Sequence, residues 1–219
     1  TTSAFFRRRF RVDARTRREV IQIDRGSKKV IAKNLDTGQT EEETYDRLVL
    51  APGSHPIIPP VEGIDLPFVF GLKTLEDTDR IYDYLKQNNP RTAVVIGGGL
   101  IGIEAAENLA IKGIATTVIE LAPQVLTFLD WEMAEKVRSH MQDKGVRLFL
   151  NEGLKSVDKF KDTASVKTDK DRVIPADLVL VAIGIRPNVD LARDAGLEIG
   201  STGGIRVNEY MQTSDPDIF

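Results

Sequence analysis

Cysteine is absent from this chain of 219 residues, and histidine occurs only at His55 and His140. Without cysteine, the chain cannot form a disulfide, bind a metal through thiolates or use a thiol as a nucleophile. Two histidines are too few for a histidine metal cluster. We therefore expect no metal site and no redox cysteine among these residues, and a reducing, cytoplasmic setting is the default for such a composition.

Long apolar runs and a large excess of one charge are also missing. The longest apolar run, 178–185, has eight residues, whereas a membrane-spanning helix needs about 20. The 30 basic and 33 acidic side chains leave a formal net charge of −3, which argues against a nucleic-acid-binding protein held by bulk charge. We expect neither a membrane nor nucleic acid as a partner. Apolar residues still make up 41% of the chain, which is enough for a packed core.

Both ends of the chain are unusual for a complete protein. The first residue is Thr1, the first methionine is Met133, and the final segment 213–219 stops where a strand is starting. We expect the sequence to be a fragment of a longer protein.

Short β-type runs separated by turn signals follow a helix-like segment at 1–10. The turn at 36–38 joins two of these runs, which predicts a β-hairpin. Farther along, Thr74 is a suitable N-cap and Asp77 occupies the third helical position, which is a carboxylate form of the capping box. We predict strands at 20–24, 28–35 and 44–50, and a helix at 74–88.

From Pro90 onward, buried apolar strands alternate with helical segments. This alternation is typical of βαβ units with a parallel sheet and indicates the α/β class. The segment 154–174 returns to short β runs, which predicts a small antiparallel meander over that sheet. The predicted strands are 92–96, 115–120, 146–150 and 178–181, and the predicted helices are 100–112 and 130–144.

The strongest functional signal is the glycine-rich sequence at 97–102. It follows a predicted strand and opens a predicted helix, which is the context that a dinucleotide-binding turn requires. Gly97 permits the tight turn, Gly99 lets a diphosphate approach the backbone, and Gly102 lets the helix pack closely on the strand. The N–H groups and dipole of the helix would hold the phosphates. We expect a Rossmann-like domain whose cofactor-binding residues include Gly97, Gly98, Gly99, Leu100, Ile101 and Gly102.

Glu120 ends the next predicted strand, 18 residues after Gly102. This position suits a carboxylate that accepts hydrogen bonds from the adenosine ribose diol. Such a carboxylate repels a 2′-phosphate, and no Arg or Lys occurs at 121–135 to bind one. The sequence thus predicts NADH in preference to NADPH. The alternative is a glycine-rich turn that binds nothing.

Two other features are compatible with more than one role. Glu104 lies near the start of the predicted helix, where spacing alone favours a partner for the helix dipole. Seven arginines fall within 7–18. They would form a solvated edge, a face against other parts of the protein, or a site for a polyanion such as a nucleotide phosphate. Nucleic acid is the remaining alternative.

With these residues considered together, the chain resembles the flavin-dependent pyridine nucleotide–disulfide oxidoreductases. It is most similar to the branch that contains CoA-disulfide reductase, NADH oxidase/peroxidase and persulfide reductase. The matching stretches follow the family order through nearly the whole chain. They are 18–21, 45–54, 94–104, 130–133, 182–188 and 212–219.

The resemblance implies that this chain is the central part of such an enzyme. Members of the family begin with an FAD-binding βαβ unit followed by a redox cysteine. They end with a further FAD motif and a dimerisation domain, and these parts do not occur here. The implied domains are a partial FAD-binding domain at 1–88, an inserted NADH-binding Rossmann-like domain at 89–187, and a truncated return to the FAD domain at 188–219.

Several residues acquire cofactor-binding roles from the resemblance alone. Val20 would contact the FAD adenine through its backbone. Glu104 gains a role near the nicotinamide, where spacing alone favoured a helix-dipole role. The other implied positions are Ala51, Pro52 and Gly53 beside FAD, and Ile183 and Gly184 in the nicotinamide site.

The implied substrate site departs from the family pattern. Where a CoA-disulfide reductase has a lysine for CoA at the end of the first helix, this chain has Phe10. Arg9 and Arg11 flank that position and are candidate substitutes for the lysine. The sequence therefore leaves CoA recognition open.

We expect the full-length enzyme to pass hydride from NADH to FAD, and electrons on to a disulfide or persulfide of CoA type or to oxygen. This chain alone would be inactive, and no residue in it needs to be catalytic. We expect small-molecule partners and a homodimeric full-length protein. The alternatives are a non-catalytic dinucleotide-binding or redox-sensing module, and a polyanion-binding adaptor that uses the arginine-rich segment.

Overall fold

The chain folds into two compact units in a computed structural model that describes residues 2–160 and 163–219. The first unit combines the segment up to Ser54 with Pro187–Phe219, and the second is His55–Arg186. In chain order, the elements are α1 (Ser3–Phe10), β1 (Arg18–Asp24), β2 (Lys29–Asn34), β3 (Thr40–Thr44), β4 (Ser54–Pro56), β5 (Val69–Gly71), α2 (Leu75–Asn88), β6 (Thr92–Ile96), α3 (Leu100–Ile111), β7 (Ala115–Glu120), α4 (Trp131–Asp143), β8 (Arg147–Leu150), β9 (Leu154–Phe160), β10 (Thr163–Thr168), β11 (Val173–Pro175), β12 (Leu178–Val181), β13 (Ile185–Pro187) and α5 (Asp190–Asp194).

An antiparallel sheet in the order β1-β2-β3 forms the first unit together with α5. The turn at 36–38 is tight enough for β3 to begin two residues later. The strand predicted at 44–50 is therefore misplaced: Thr44 is the last residue of β3, and within 45–50 only Leu48 makes a β-bridge, with Ile218. The acidic sequence of β3 lacks the apolar alternation typical of a strand, because β3 lies on a solvent-exposed edge of the sheet. The core cluster of this unit contains the buried residues Ile23, Ala192, Leu197 and Ile218.

A five-stranded parallel sheet in the order β5-β12-β6-β7-β8 is the centre of the second unit. β6, β7 and β12 have the predicted bounds, and the arrangement confirms the α/β class. Val94, Val95 and Val118 have 0% exposure, because both faces of the sheet are covered. Their near-continuous apolar sequences follow from this two-sided burial.

Different elements cover the two faces of this sheet. One core cluster joins the sheet to the three longer helices through Ile81, Ala106 and Met141. The other joins it to the antiparallel sheet β9-β10-β11 through residues such as Val157 and Val166. This second layer confirms the predicted meander. It also places the β10–β11 turn beside the segment that follows β8, as the contacts below show.

The second unit begins earlier than the predicted domain 89–187. β5 pairs with β12 in parallel, and the hydroxyl group of Tyr84 on α2 donates a 2.8 Å hydrogen bond to the Asp177 carbonyl group. The Thr74 side chain accepts a hydrogen bond from the Asp77 N–H group, and the Asp77 carboxylate accepts one from the Thr74 N–H group, as the capping box predicted. These contacts attach the segment from β5 to α2 to the parallel sheet, so packing separates the units at His55.

Asp177 connects two strands at the amino-terminal edge of the parallel sheet. Its carboxylate accepts 2.9 Å hydrogen bonds from the backbone N–H groups of Arg91 and Thr92 and from the Thr92 hydroxyl group. Partial burial opposes ionisation of this group, but these hydrogen bonds outweigh the burial and lower the pKa of Asp177. The interaction therefore stabilises the fold when Asp177 is charged.

We predict that Asp177→Ala lowers the free energy of unfolding at pH 7 by roughly 0.5–1.5 kcal/mol, because backbone donors at an exposed position exchange their acceptor for water. Since the folded-state pKa is lowered, the stabilisation is present above the unfolded-state pKa of about 3.9 and is lost as the pH falls through the folded-state value. Urea denaturation from neutral to acidic pH measures this difference. Asp79→Ala, at an exposed position on α2, is the control. An equal loss of stability in both variants, or a difference that does not depend on pH, would contradict the prediction.

Candidate functional site

A cavity of about 800 Å³ opens at the carboxyl-terminal edge of the parallel sheet in the second unit. It lies where β6, β7, β8 and β12 end, which is where ligands bind in open α/β sheets. The cavity size is within the range of small-molecule and cofactor sites. The predicted residues that line it are Gly97, Gly98, Gly99, Leu100, Ile101, Glu120, Ile183 and Gly184.

Two of the predicted glycines are required by close packing between backbone segments. Gly97 has a φ of +108°, and a Cβ atom there would lie 2.5 Å from the Ala182 carbonyl oxygen. Gly102 is buried in α3, and a Cβ atom there would lie 2.0 Å from the carbonyl oxygen of Gly97. A larger residue at Gly102 would push α3 away from the end of β6, and one at Gly97 would collide with the backbone that follows β12.

Gly99 differs from these two because it leaves space open. It is the N-cap of α3, with an extended φ of −78° and no side-chain cap, and a Cβ atom there would meet nothing within 4 Å. A ligand can therefore approach the backbone at the start of α3, where the first N–H groups have no partner within the helix. Leu100 and Ile101 follow with exposures of 65% and 47%. This end of the helix suits an anionic group.

The Glu120 carboxylate lies directly against the glycine-rich turn. It accepts hydrogen bonds of 2.5 Å from the N–H group of Gly98 and 2.7 Å from that of Ala122. A Cβ atom on Gly98 would lie 3.2 Å from the Glu120 side chain. Since two carboxylate oxygens accept about four hydrogen bonds in total, Glu120 retains acceptor capacity toward the cavity.

The loop after β7 contributes residues that the sequence did not identify. The N–H group of Leu126, which has a φ of +48°, donates a 2.9 Å hydrogen bond to the Gly98 carbonyl group. Thr127 and Phe128 then line the cavity. Gly-rich patterns give no indication of such a contact, because it depends on how the loop folds back over the turn.

Two acidic residues beyond β8 line the same cavity and were also missed. Glu152 is buried at 2% exposure, and its carboxylate accepts hydrogen bonds from Thr168 at 2.6 Å and from Arg172 at 3.0 Å. The guanidinium group of Arg172 also lies 4.0 Å from the ring centre of Phe149. Asp169 is exposed and comes from the turn between β10 and β11. Their presence depends on the packing of the meander, which no local pattern specifies.

At the other end of the cavity, Ile183 and Gly184 follow β12. Gly184 has a φ of +111°, and its carbonyl group accepts a 3.0 Å hydrogen bond from the N–H group of Ile57. Pro56 and Pro59 line the cavity beside them. The structure therefore brings these two predicted residues together with the glycine-rich turn.

Glu104 does not line this cavity. It is exposed on α3, where its backbone carbonyl group accepts a 2.8 Å hydrogen bond from the Asn108 side chain. Six other predicted residues lie in the first unit and are described separately. They are Val20, Ala51, Pro52, Gly53, Arg9 and Arg11, and Phe10 lies between the two arginines.

In the first unit, Val20 on β1 is 40% exposed, and Gly53 has a φ of +74° with open space around its Cβ position. The carbonyl groups of Pro52 and Gly53 accept hydrogen bonds from Asn188 at 2.9 and 3.0 Å. These contacts hold the Ala51–Gly53 turn against the returning chain within this unit.

The arginine-rich segment divides into paired and unpaired side chains. Four arginines form ion pairs within the unit. Among the residues that the structure describes, the three at the end of α1 have no acidic partner within 4.0 Å. The ion pairs are Arg7–Asp13, Arg15 with Asp13 and Glu43, Arg17–Asp36 and Arg18–Glu41, and the unpaired arginines are Arg8, Arg9 and Arg11.

Metal clusters and membrane-spanning helices are both absent from the described residues. Across 2–160 and 163–219, no three or more His, Cys, Asp or Glu side chains form a group that could hold a metal ion. In the same part of the chain, none of the helices has the length and apolar sequence needed to cross a bilayer.

Known proteins resemble this chain in both sequence and fold. Residues 4–219 match the sequence pattern of the family described as Pyridine nucleotide-disulphide oxidoreductase. The chain is 39% identical to an NADH oxidase from Methanocaldococcus jannaschii, over 98% of this chain and 47% of that protein.

Two solved structures show the same fold. Reduced CoADR-RHD from Bacillus anthracis has a TM-score of 0.94 and 40% identity, over 100% of this chain and 39% of that one. An NAD-dependent persulfide reductase from A. fulgidus has a TM-score of 0.92 and 38% identity, over 99% of this chain and 40% of that one. This chain spans about half the length of the curated relatives it matches. Because the family pattern covers nearly every residue and the fold agrees with it, the chain belongs to the pyridine nucleotide–disulphide oxidoreductase family.

Proposed function

We propose that this chain is the NADH-binding part, with a portion of the FAD-binding domain, of a flavin-dependent oxidoreductase. The observation that carries the proposal is the open backbone at Gly99 together with the Glu120 carboxylate on the same cavity. In this proposal, residues 89–187 are the inserted NADH domain. Residues 1–88 and 188–219 would come from the FAD domain, with the segment from β5 to α2 packed on the parallel sheet of the second unit.

The residues that line the cavity are compatible with bound NADH. The start of α3 at Gly99 would hold the diphosphate, and the remaining lone pairs of Glu120 would accept the ribose hydroxyl groups. Ile183 and Gly184, at the opposite end of the cavity, would lie along the nicotinamide. Glu104, which is exposed on α3, is proposed near the nicotinamide from family membership alone.

Glu120 also supports NADH in preference to NADPH. The 2′-phosphate of NADPH would bring negative charge close to the Glu120 carboxylate, which lies against the glycine-rich turn. The segment 121–135 contains no Arg or Lys to compensate. Electrostatic repulsion would therefore disfavour the phosphorylated cofactor.

On the FAD side, we propose that the Val20 backbone contacts the adenine and that the Ala51–Gly53 turn lies beside the cofactor. The open space at Gly53 is compatible with close approach of a ligand. When bound, NADH supplies a hydride and FAD accepts it. The side chains of this chain bind and orient the cofactors, and no general acid or base from it is required.

Names of the relatives support the proposed acceptors. One relative is an NADH oxidase, and one similar structure is an NAD-dependent persulfide reductase. We propose that electrons pass from FAD to a small disulfide or persulfide of CoA type, or to oxygen, in a full-length homodimer. A non-catalytic dinucleotide-binding module is the alternative that the following experiment distinguishes.

We predict that protein expressed from the complete reading frame purifies with flavin absorbance, and that anaerobic NADH bleaches it. The 219-residue chain should bind NADH but retain no flavin, because most of the flavin site lies outside it. Absorbance spectra before and after NADH addition measure this. Tight NADH binding by a full-length protein without flavin would support the non-catalytic module instead.

We predict that Glu120→Ala weakens NADH binding by about tenfold, the effect of losing a hydrogen bond to a charged group. It should also narrow the preference over NADPH, because the repulsion disappears. Fluorescence titrations with both cofactors measure the two dissociation constants. Glu76→Ala, at an exposed position on α2, is the control. Tighter binding of NADPH than NADH by the unaltered protein would show that the role given to Glu120 is wrong.

We predict that Arg9→Ala and Arg11→Ala each weaken binding of CoA or CoA disulfide by about two- to fivefold at low salt, as expected for exposed charges. Isothermal titration of the full-length protein measures the change. Arg147→Ala removes an exposed arginine from the other unit and should have no effect. Unchanged affinity in all three variants would remove these arginines from the substrate site.

A further inference from the structure

The segment after β8 continues the cavity edge beyond Glu120. Glu120 pairs with Leu150 in the parallel ladder, and the N–H group of Glu152 donates a 3.0 Å hydrogen bond to the Glu120 carbonyl group. Neighbouring strands lie about 4.8 Å apart. A ligand with a diphosphate at Gly99 and a ribose at Glu120 therefore reaches the residues after β8 with its next chemical group.

Asp169 presents a fixed carboxylate at that position. Its backbone N–H group donates a 2.9 Å hydrogen bond to the Gly153 carbonyl group, and its Oδ1 atom accepts a 3.0 Å hydrogen bond from the N–H group of Gly153. This reciprocal pair holds the side chain in one orientation. Asp169 lines the cavity, and no hydrogen bond from any described residue uses its Oδ2 atom. One oxygen is therefore available as an acceptor.

An apolar side chain, Leu121, lies beside this oxygen on the cavity wall. A Cβ atom on Gly153 would lie 3.1 Å from Asp169 Oδ2 and 3.2 Å from Leu121 Cδ1. The absence of a side chain at 153 thus lets an apolar group and a charged acceptor lie close together at this position. Leu121 is 71% exposed and lines the same cavity. A ligand group that binds here needs an apolar face to contact Leu121 and a hydrogen-bond donor on its edge to reach Asp169.

We propose that Asp169 is a specificity-determining residue that accepts a hydrogen bond from the exocyclic amine of adenine in NADH. An ionised carboxylate accepts hydrogen bonds and donates none, so it favours a base with an amine over one with a carbonyl group at the same position. Leu121 covers the face of the base. This inference rests on the proposed function and assigns Asp169 no part in hydride transfer.

The test compares NADH with reduced nicotinamide hypoxanthine dinucleotide, in which a carbonyl oxygen replaces the adenine amine. The unaltered protein should bind NADH about tenfold more tightly, the effect of a hydrogen bond to a charged group. Asp169→Asn keeps an oxygen for the Gly153 N–H group and presents an amide NH₂ group to the base. It should lower the ratio of the two affinities at least tenfold, to parity or to a preference for hypoxanthine.

Asp171→Asn is the matched control. It removes the same charge two residues away, at a side chain that is 69% exposed, that pairs with Lys155 and Lys167, and that does not line the cavity. Its affinity ratio should equal that of the unaltered protein. Equal changes in both variants would indicate a general charge effect and would overturn the inference.

Two further outcomes separate this inference from the proposed function. If the unaltered protein binds NADH and the hypoxanthine dinucleotide equally well, Asp169 does not recognise the adenine amine and the inference is wrong. The proposed function is unaffected by that result. This measurement needs no variant and is independent of any effect on folding. If the unaltered protein binds neither dinucleotide, the proposed function fails and the inference fails with it.

Discussion

The close contact between α3 and the end of β6 is the constraint on which the rest of the site depends. A Cβ atom at Gly102 would lie 2.0 Å from the Gly97 carbonyl oxygen, and one at Gly97 would lie 2.5 Å from the Ala182 carbonyl oxygen. With hydrogen atoms at these positions, only three residues separate the end of the strand from the start of the helix, and the first N–H groups of the helix open onto the cavity at Gly99. The anion-binding capacity of the site is therefore a consequence of backbone packing rather than of a basic side chain.

Carboxylates that accept hydrogen bonds from backbone N–H groups recur at both edges of the parallel sheet. Asp177 at the amino-terminal edge connects β12 to the start of β6 and supports stability. Glu120 and Asp169 at the carboxyl-terminal edge are held in the same way, but they face a cavity. The same interaction thus serves the fold at one edge and orients acceptors toward a ligand at the other.

Family membership and the proposed activity rest on different observations. The family follows from a sequence pattern that covers residues 4–219 and from agreement of the fold with two solved structures. The activity is proposed because the chain spans about half of its curated relatives and contains no cysteine. Within this chain, the chemistry that the described residues support best is recognition of a dinucleotide.

The sequence by itself determined the βαβ core, the glycine-rich turn and Glu120, because strand periodicity, glycine sterics and the spacing of a terminal acid act over short distances. Tertiary structure alone decided that β3 lies at Thr40–Thr44 and that the second unit begins at His55. It also brought Leu126, Glu152 and Asp169 to the cavity. Each of these results depends on contacts between segments far apart in the chain, or on how a loop packs, and such contacts leave no periodic signal in the sequence.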